Sequence, residues 1–139
     1  MALGARGMRG KVLFLDGDLL ISGESLAKFV DQARMVPTLV GVARASSEHA
    51  VFVSTDEPDG DENCRILGFS RDTVTNLEWA NVVAADPSFI LDAPGFVYQE
   101  LERALPLPAR ELELAEVDTP DDLVRAEAFC KRFGPGTGP

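Results

Sequence analysis

The sequence predicts an α/β domain with a mostly parallel sheet, an antiparallel portion of that sheet and flanking helices. Three observations predict this class. Short apolar runs with strand character alternate with stretches of helical periodicity, as in α/β proteins. The first run, residues 11–15, has an unbroken apolar centre, which is typical of a strand buried on both faces of a parallel sheet. Near the middle, a turn rich in Pro, Asp and Gly joins two apolar runs, which predicts an antiparallel hairpin.

The other elements follow in order along the chain. A helix is expected over residues 24–34, because apolar residues recur there at three- and four-residue spacing, and Pro37 ends it. A second helix is expected over residues 95–104, before Pro106 and Pro108 break it. Strand-like runs lie at residues 38–43, 50–54, 64–69, 78–84 and 112–117.

The last helix has the clearest start signals. Thr119 suits the N-cap, Pro120 suits the first helical position, and Asp121 and Asp122 complement the positive end of the helix dipole. Gly134 is a fitting end. We therefore expect one domain over residues 1–133, followed by a disordered tail at 134–139.

The composition of the chain limits the kinds of partner that it can bind. The 139 residues are 45% hydrophobic and 26% charged, with a net charge of -10, so we expect a globular chain that binds neither nucleic acid nor an anionic membrane. Divalent cations suit this charge better. No apolar run approaches the roughly 20 residues of a membrane span, and residues 1–10 lack the apolar core of a signal peptide. With Cys64 and Cys130 far apart, free thiols and a cytoplasmic location are expected.

Two groups of carboxylates follow strands of the predicted sheet. Asp16, Gly17 and Asp18 come directly after the first strand, and Asp118 comes directly after the last one. Ligands collect beyond the carboxyl ends of the strands in open α/β sheets, so parallel neighbouring strands would bring Asp18 and Asp118 to one spot. Two carboxylates at close range repel each other unless a cation lies between them. Hard oxygen ligands suit Mg2+, and Gly17 would let the backbone approach closely.

Plainer structural explanations of these residues stay open. Asp-Gly-Asp is a common turn, Asp118 could simply precede a helix cap, and Asp121 and Asp122 could serve only the helix terminus. Neither a P-loop nor a G-x-G-x-x-G motif occurs. We expect further polar and aromatic residues to be structural: Trp79 in the core, His49 at a strand edge, and Asp59, Asp61 and Glu62 at the solvated hairpin tip.

The segments VLFLDGDLL at residues 12–20 and EVDTPDDLVRAE at residues 116–127 resemble nucleotidyltransferases of the GT-A-like, partly Rossmann-like fold. The group includes sugar-phosphate nucleotidyltransferases, and phosphocholine and phosphonate cytidylyltransferases look most similar. The resemblance implies transfer of a nucleoside monophosphate from a nucleoside triphosphate, with CTP favoured, to a phosphate or phosphonate acceptor, releasing pyrophosphate. It implies that Asp18 and Asp118 hold Mg2+, with Asp16 as a neighbour.

The middle of the chain extends the resemblance. RILGFSRD at residues 65–72 and EWANV at residues 78–82 look like the strands around the family's acceptor site, which would place Arg71 near the acceptor phosphate. The family's glycine-rich, basic nucleotide loop does not precede Lys11. The resemblance then covers the later part of the domain and implies little or no turnover by the chain alone. It also implies an exposed sheet edge that could pair copies of the chain.

Two other hypotheses compete with this one. FLDGDLL at residues 14–20 and VFVST at residues 51–55 also resemble the first two motifs of haloacid dehalogenase-like phosphatases. However, Leu20 stands where that family has Thr, and no lysine lies between Lys28 and Lys131. The second hypothesis is a non-catalytic fragment, or an interaction module that binds a partner through its sheet edge.

Overall fold

The computed structural model describes residues 10–46, 50–57, 64–88 and 97–133. The predicted positions of His49, the hairpin tip with Asp59, Asp61 and Glu62, and the tail at 134–139 lie outside these residues. The elements are β1 (Val12–Leu15), β2 (Leu19–Ile21), α1 (Gly23–Ala33), β3 (Leu39–Arg44), β4 (Phe52–Thr55), β5 (Arg65–Ser70), β6 (Leu77–Ala85), α2 (Val97–Glu102), β7 (Leu107–Glu111), β8 (Leu114–Glu116) and α3 (Pro120–Phe133).

The main sheet has six strands in the order β1-β6-β3-β7-β5-β4, and β4 pairs with β6 as well. The pairing of β4 with β6 closes a ring of five strands, β6-β3-β7-β5-β4. The ring can close because β6 is long enough to pair with both β1 and β4. Its last residues pair with β1, with Leu15 opposite Val82, while its first residues pair with β4, with Phe52 opposite Glu78.

The α/β class, with a mixed sheet and flanking helices, is confirmed. The balance within the sheet differs from the expectation. Strands β3 and β7 are parallel, whereas the other described pairs are antiparallel. Strands β1 and β3, which precede and follow α1 in the chain, do run in the same direction. However, β6 lies between them and is antiparallel to both. The predicted hairpin is present as β4 and β5.

Two strands were not expected from the sequence. Strand β7 contains Pro108, which we expected only to break a helix. It pairs with β3 from Ala109 onward, so the missing N–H of the proline is not needed in that ladder. Strand β2 pairs with β8 in a separate antiparallel ribbon, with Leu19 opposite Glu116. We call this pair the β2–β8 ribbon.

The core lies on both faces of the main sheet. On one face, Trp79, Val42 and Leu101 belong to a buried cluster, which confirms Trp79 as a core residue. On the other face, Phe29 from α1 packs with Val82 and other strand residues. The alternation of side chains along β6 supplies both clusters.

Helix α3 begins where its signals predict, and α1 begins within one residue of the expected start. Ser22 caps α1 by accepting a hydrogen bond from the Ser25 N–H at 3.4 Å, and α3 begins at Pro120. Cys64 is buried, Cys130 is exposed, and neither forms a disulfide. Within the described residues, no helix has both the length and the apolar character that crossing a bilayer demands.

Candidate metal centre

The β2–β8 ribbon brings together acids from the two ends of the chain. Asp18 directly precedes β2 and Asp118 lies just beyond the end of β8. The Val117 N–H donates a hydrogen bond to the Asp18 carbonyl oxygen at 3.0 Å, which holds the two backbones side by side. The expected convergence of Asp18 and Asp118 therefore occurs. It is produced by an antiparallel ribbon, since the start of one strand faces the end of its partner, and not by parallel neighbours.

Three carboxylates meet at this point. One oxygen each from Asp18, Glu116 and Asp118 lies within 4.8 Å of the others, the only such group of three metal-ligating side chains among the described residues. Glu116 is half-buried on β8. Sequence reasoning quoted Glu116 in a motif but did not place it in the site. Only its proximity to Asp118 was visible in the sequence, because the face of the strand that Glu116 occupies depends on the pairing of β8 with β2.

The negative charges in the cluster repel one another. The pKa of Glu116 is raised to about 7. Burial is the largest cause, followed by a hydrogen bond and negative charge from Asp118 and by the charges of Asp18 and Glu78. A hydrogen bond to Asp118 is the largest cause that raises the pKa of Asp18, followed by burial and the negative charges of Asp118 and Asp16. Both shifts show carboxylates that are costly to ionise together.

One oxygen in the cluster lacks a partner. Asp18 Oδ1 is buried and accepts no hydrogen bond. A buried carboxylate oxygen without a donor is costly, and a cation is the natural way to satisfy it. Oxygen-only ligands, mutual repulsion and a buried bare oxygen together fit a hard divalent ion such as Mg2+.

The start of α3 holds Asp118 in place. The N–H groups of Asp118 and Thr119 donate to Asp122 Oδ2 at 2.9 and 3.0 Å. In return, the Asp122 N–H donates to Thr119 Oγ1 at 3.3 Å, a reciprocal cap. The hydrogen bonds from the Asp118 and Thr119 backbones lower the pKa of Asp122. Asp122 is thus a helix-terminus residue, as expected, and it also fixes the backbone of a site residue.

The other predicted site residues are not part of the carboxylate cluster. Asp16 contributes charge to Asp18 but is not one of the three converging carboxylates. Gly17 is exposed, and a Cβ added there would meet nothing within 4 Å. Arg71 follows β5, where its Nε donates to the Tyr98 hydroxyl at 3.2 Å and its guanidinium lies 5.5 Å from the ring centre. The roles of all three stay predictions.

A cavity adjoins the carboxylates. It has a volume of about 700 Å³ and lies between β8 and α3, within the size range of small-molecule sites. Glu116 and Asp118 line it on one side, and Arg125 and Arg132 of α3 line it as well. Arg125 also pairs with Asp122 at 3.5 Å. The cavity therefore combines a candidate cation site with guanidinium groups that could face an anion.

Glu78 is a second residue that sequence reasoning passed over. It is only 8% exposed, its Oε2 accepts a hydrogen bond from the Ser46 N–H at 3.3 Å, and its charge acts on Glu116. Its position within a strand-like run gave no sign of this, because burial depends on how β6 pairs.

Comparison with known proteins places the fold. No protein-family model matches the chain, and no curated protein matches it. Solved structures do. The inositol-1-phosphate CTP transferase from T. maritima superposes with a TM-score of 0.68 at 17% identity, covering 99% of this chain and 62% of that one. The UDP-glucose pyrophosphorylase from Acinetobacter baumannii gives 0.69 at 11%, covering 91% and 54%. The fold is that of nucleotidyltransferases.

A third structure, HddC from Yersinia pseudotuberculosis, gives a TM-score of 0.63 at 15% identity, covering 95% of this chain and 60% of that one. The chain thus spans between 54% and 62% of the length of these three proteins. At these identities the similarity establishes the fold alone, because one fold can carry many different chemistries.

The sheet disfavours the phosphatase hypothesis. That hypothesis needs β1 and β4 to present their ends to one site. Strand β1 pairs with β6 around Val82, whereas β4 pairs with it around Glu78. These positions are separated by about 13 Å of strand, and β4 is antiparallel to both of its partners.

Proposed function

We propose that this chain is part of a Mg2+-dependent nucleotidyltransferase. The reaction would transfer a nucleoside monophosphate from a nucleoside triphosphate, CTP in the first instance, to a phosphate or phosphonate acceptor. The carboxylate cluster with the bare buried oxygen of Asp18, at the end of the β2–β8 ribbon, carries the proposal. The nucleotidyltransferase fold supports it, and the CTP transferase among the similar structures supports the choice of nucleotide.

Asp18 and Asp118 would hold the ion. Bound Mg2+ supplies positive charge that offsets the charge of the phosphates during transfer. The protein's own contribution is orientation, since Asp122 ties the Asp118 and Thr119 N–H groups and the ribbon ties Asp18 to Val117. Without a cation, a triphosphate would be repelled by these carboxylates.

The reaction needs no general base. An oxygen of the acceptor phosphate forms a bond to the α-phosphorus, and the bond from that phosphorus to the bridging oxygen of the β-phosphate breaks. The electron pair of the broken bond leaves with pyrophosphate. Because a phosphate monoester is mostly ionised at pH 7, its oxygen needs no proton removed. A site built of carboxylates, with no histidine among the three converging residues, is compatible with this chemistry.

The cavity beside Asp118 is the proposed place for the phosphates. Arg125 and Arg132 line it, and guanidinium groups recognise phosphate oxygens well. Arg71 is proposed to face the acceptor phosphate. Residues 1–133 are proposed to form the later part of the domain, with a nucleotide-cradling loop supplied from elsewhere. Turnover by the chain alone should then be slow, because cradling of the triphosphate is a large part of catalysis.

The first test is ligand-induced stabilisation. Thermal unfolding of the full chain with Mg2+ and CTP should show a rise in Tm that disappears in Asp18→Asn and in Asp118→Asn. Asp121→Asn is the matched control, because Asp121 is an exposed acid at the same helix start but not one of the converging carboxylates. A response retained in both site variants would defeat the assignment.

The second test follows the chemistry. Phosphorus NMR of the chain with Mg2+, CTP and either phosphocholine or a sugar 1-phosphate should show slow formation of pyrophosphate and of a mixed diphosphate. UTP in place of CTP tests the choice of nucleotide. A chain that binds neither Mg2+ nor any nucleotide would instead favour the non-catalytic interaction module.

The outer edge of β1 is the proposed surface for self-association. In the described part of the chain β1 pairs with β6 alone, and Leu15 is 43% exposed. An unpaired edge can accept a strand from another copy. Light scattering across a range of concentrations should detect a dimer, and Leu15→Lys should weaken it. A monomer at every concentration would contradict this proposal.

A further inference from the structure

Asn81 lies within β6 in a backbone conformation that few strand residues adopt. Its φ is 59°, in the left-handed region, and no other non-glycine residue of the described chain has a positive φ. Asparagine tolerates this region better than most residues, because its short side chain can form a local hydrogen bond. The Asn81 amide forms no hydrogen bond within the described residues, and the residue is only half-buried. The amide is therefore a polar group that a ligand could use.

The neighbouring strand makes room for a β-bulge at this position. One residue of β3, Gly41, faces the three residues 80–82 of β6. A Cβ on Gly41 would lie only 2.9 Å from Val82 Cβ and 3.2 Å from the Val82 carbonyl oxygen, so a larger residue would press on the bulged strand. Bulges are common beside functional sites, where they redirect a side chain. Left-handed backbone of a non-glycine residue has the same association with binding sites.

The bulge lies beside the carboxyl end of β1. The last paired residues of the two strands are Leu15 and Val82. One step beyond them, the next positions are those of Asp16 and Asn81. Facing residues of antiparallel strands stand about 5 Å apart and point to the same face of the sheet. Asp16 is half-buried and its charge acts on Asp18 of the carboxylate cluster. This end of the sheet is where ligands of open α/β folds bind.

The residues of β6 before the bulge border the same site. Glu78 is buried, yet its charge acts on Glu116 of the cluster. Its Oε2 accepts a hydrogen bond from the Ser46 N–H at 3.3 Å, and Ser46 lines the cavity together with Asp118. Strand β6 thus adjoins the site both before and after Asn81, and a molecule bound at this end of the sheet can meet the Asn81 amide.

We propose that Asn81 determines acceptor specificity, because its amide hydrogen-bonds a hydroxyl group of the phosphorylated acceptor. The inference rests on the proposed function and narrows its acceptor. A carboxamide both donates and accepts hydrogen bonds, as a hydroxyl does, so the two groups are complementary. A phosphate oxygen is better matched by arginine. The trimethylammonium group of phosphocholine has no hydrogen to donate and gains nothing from an amide.

A purely structural role for Asn81 predicts different behaviour of two variants. Glycine adopts a positive φ without steric cost, so Asn81→Gly keeps the bulge and removes only the amide. Asn81→Ala removes the amide and also disfavours the backbone conformation. Urea unfolding should therefore give Asn81→Gly a midpoint close to that of the wild type and Asn81→Ala a lower one. If Asn81 only shaped the bulge, Asn81→Gly would keep its ligand affinity as well.

The experiment compares two phosphate monoesters, of which only one carries hydroxyl groups. The full chain is loaded with Mg2+ and a CTP analogue that has a methylene group between its α- and β-phosphates. It is then titrated with glucose 1-phosphate or with phosphocholine in a calorimeter. The wild-type chain should bind glucose 1-phosphate more tightly. Asn81→Gly should weaken that binding about tenfold, the scale of one hydrogen bond, and should leave the affinity for phosphocholine unchanged.

Asn76→Gly is the matched control. Asn76 is exposed, and its backbone carbonyl oxygen accepts a hydrogen bond from the Ala45 N–H at 2.9 Å. Removal of the Asn76 side chain should leave the affinity for both monoesters equal to that of the wild type. A loss of glucose 1-phosphate binding in Asn76→Gly as large as that in Asn81→Gly would overturn the assignment to Asn81.

The ribose of the nucleotide is the other source of hydroxyl groups. The CTP analogue and its 2′,3′-dideoxy form are therefore titrated separately into the Mg2+-loaded wild type and Asn81→Gly. Both chains should bind each nucleotide equally well. If Asn81→Gly weakened binding of the CTP analogue alone, the amide would serve the ribose, and the acceptor assignment would be overturned.

Metal binding separates this inference from the proposed function. With Mn2+ as a spectroscopic substitute for Mg2+, free Mn2+ measured by electron paramagnetic resonance should give equal affinities for Asn81→Gly and the wild type. Unchanged glucose 1-phosphate affinity in Asn81→Gly, or no preference of the wild type for that monoester, would overturn the role of Asn81. The proposed function would still stand if Asp18→Asn abolished stabilisation by Mg2+ and CTP. A wild-type chain that binds neither metal nor nucleotide would overturn both.

Discussion

The carboxylate cluster and the Arg71–Tyr98 pair differ in how far their charged groups are paired within the protein. At the end of the β2–β8 ribbon, like charges face one another and Asp18 Oδ1 has no hydrogen bond. Arg71, in contrast, donates to the Tyr98 hydroxyl and lies over its ring, and that ring packs beside Phe69 and Trp79.

Uncompensated charge separates a candidate binding site from a structural contact. A charged group that has no partner in the fold lowers stability. A ligand of opposite sign that binds to this group removes that cost. A charge that already has partners must give up those contacts first. The cluster is therefore the stronger candidate; its aspartates were also predicted from their positions after strands, whereas Arg71 came from the resemblance alone.

The largest expected effect is on metal binding by the cluster. Changing Asp18 and Asp118 together to Asn should abolish the response of Tm to Mg2+, and should raise the free energy of unfolding in EDTA by up to about 1 kcal/mol, the repulsion of two charges 4 Å apart in water. Urea unfolding in EDTA and in Mg2+ measures both quantities. A double variant that is less stable than the wild type in EDTA would show that the aspartates hold the ribbon together instead.

The cap of α3 should give the next largest effect. Thr119→Ala removes the oxygen that accepts the Asp122 N–H, which should cost about 1 kcal/mol of stability. It should also weaken Mn2+ binding a few-fold, because the backbone of Asp118 is held by the same cap. Thr119→Ser retains the hydroxyl and should preserve both. Unchanged metal affinity in Thr119→Ala would separate the cap from the site.

The pH dependence of the metal-free protein should report the repulsion directly. The pKa of Glu116 is raised to about 7 from 4.5, so the folded chain binds this proton more readily than the unfolded chain. The folded state should gain stability from this group as pH falls from about 7 toward 4.5. In Glu116→Gln that gain should be absent. Urea unfolding of both chains in EDTA at pH 8, 6.5 and 5 measures the difference, and a difference independent of pH would contradict the prediction.

The smallest effect is expected at Arg71. Arg71→Gln should lower stability by no more than about 1 kcal/mol, the scale of an exposed cation–π contact, and should leave Mn2+ affinity within twofold of the wild type. If Arg71 faces the acceptor phosphate as proposed, the variant should weaken acceptor binding alone, measured by phosphocholine titration of the Mg2+- and CTP-loaded chain. Tyr98→Phe, which removes only the hydroxyl, is the matched comparison. Loss of metal binding in Arg71→Gln would erase the contrast between the two regions.

Much of the site was readable from local sequence. Asp18 and Asp118 were predicted to converge, and the start of α3 behaves as its Thr119 and Asp122 signals indicate. Glu116 was missed as a site residue because a strand's two faces are equivalent until its partner is known. Strand β7 was missed because Pro108 speaks against a strand unless its ladder leaves that N–H free.

The helices, the hairpin of β4 and β5 and the α/β class could be predicted from local sequence, because capping residues, turns and hydrophobic periodicity act within a few positions of the chain. The position of β6 between β1 and β3 and the meeting of three carboxylates at the β2–β8 ribbon depend on long-range strand pairing. Pairings between residues almost 100 positions apart depend on which strand edges compete for partners, and no local pattern records that competition.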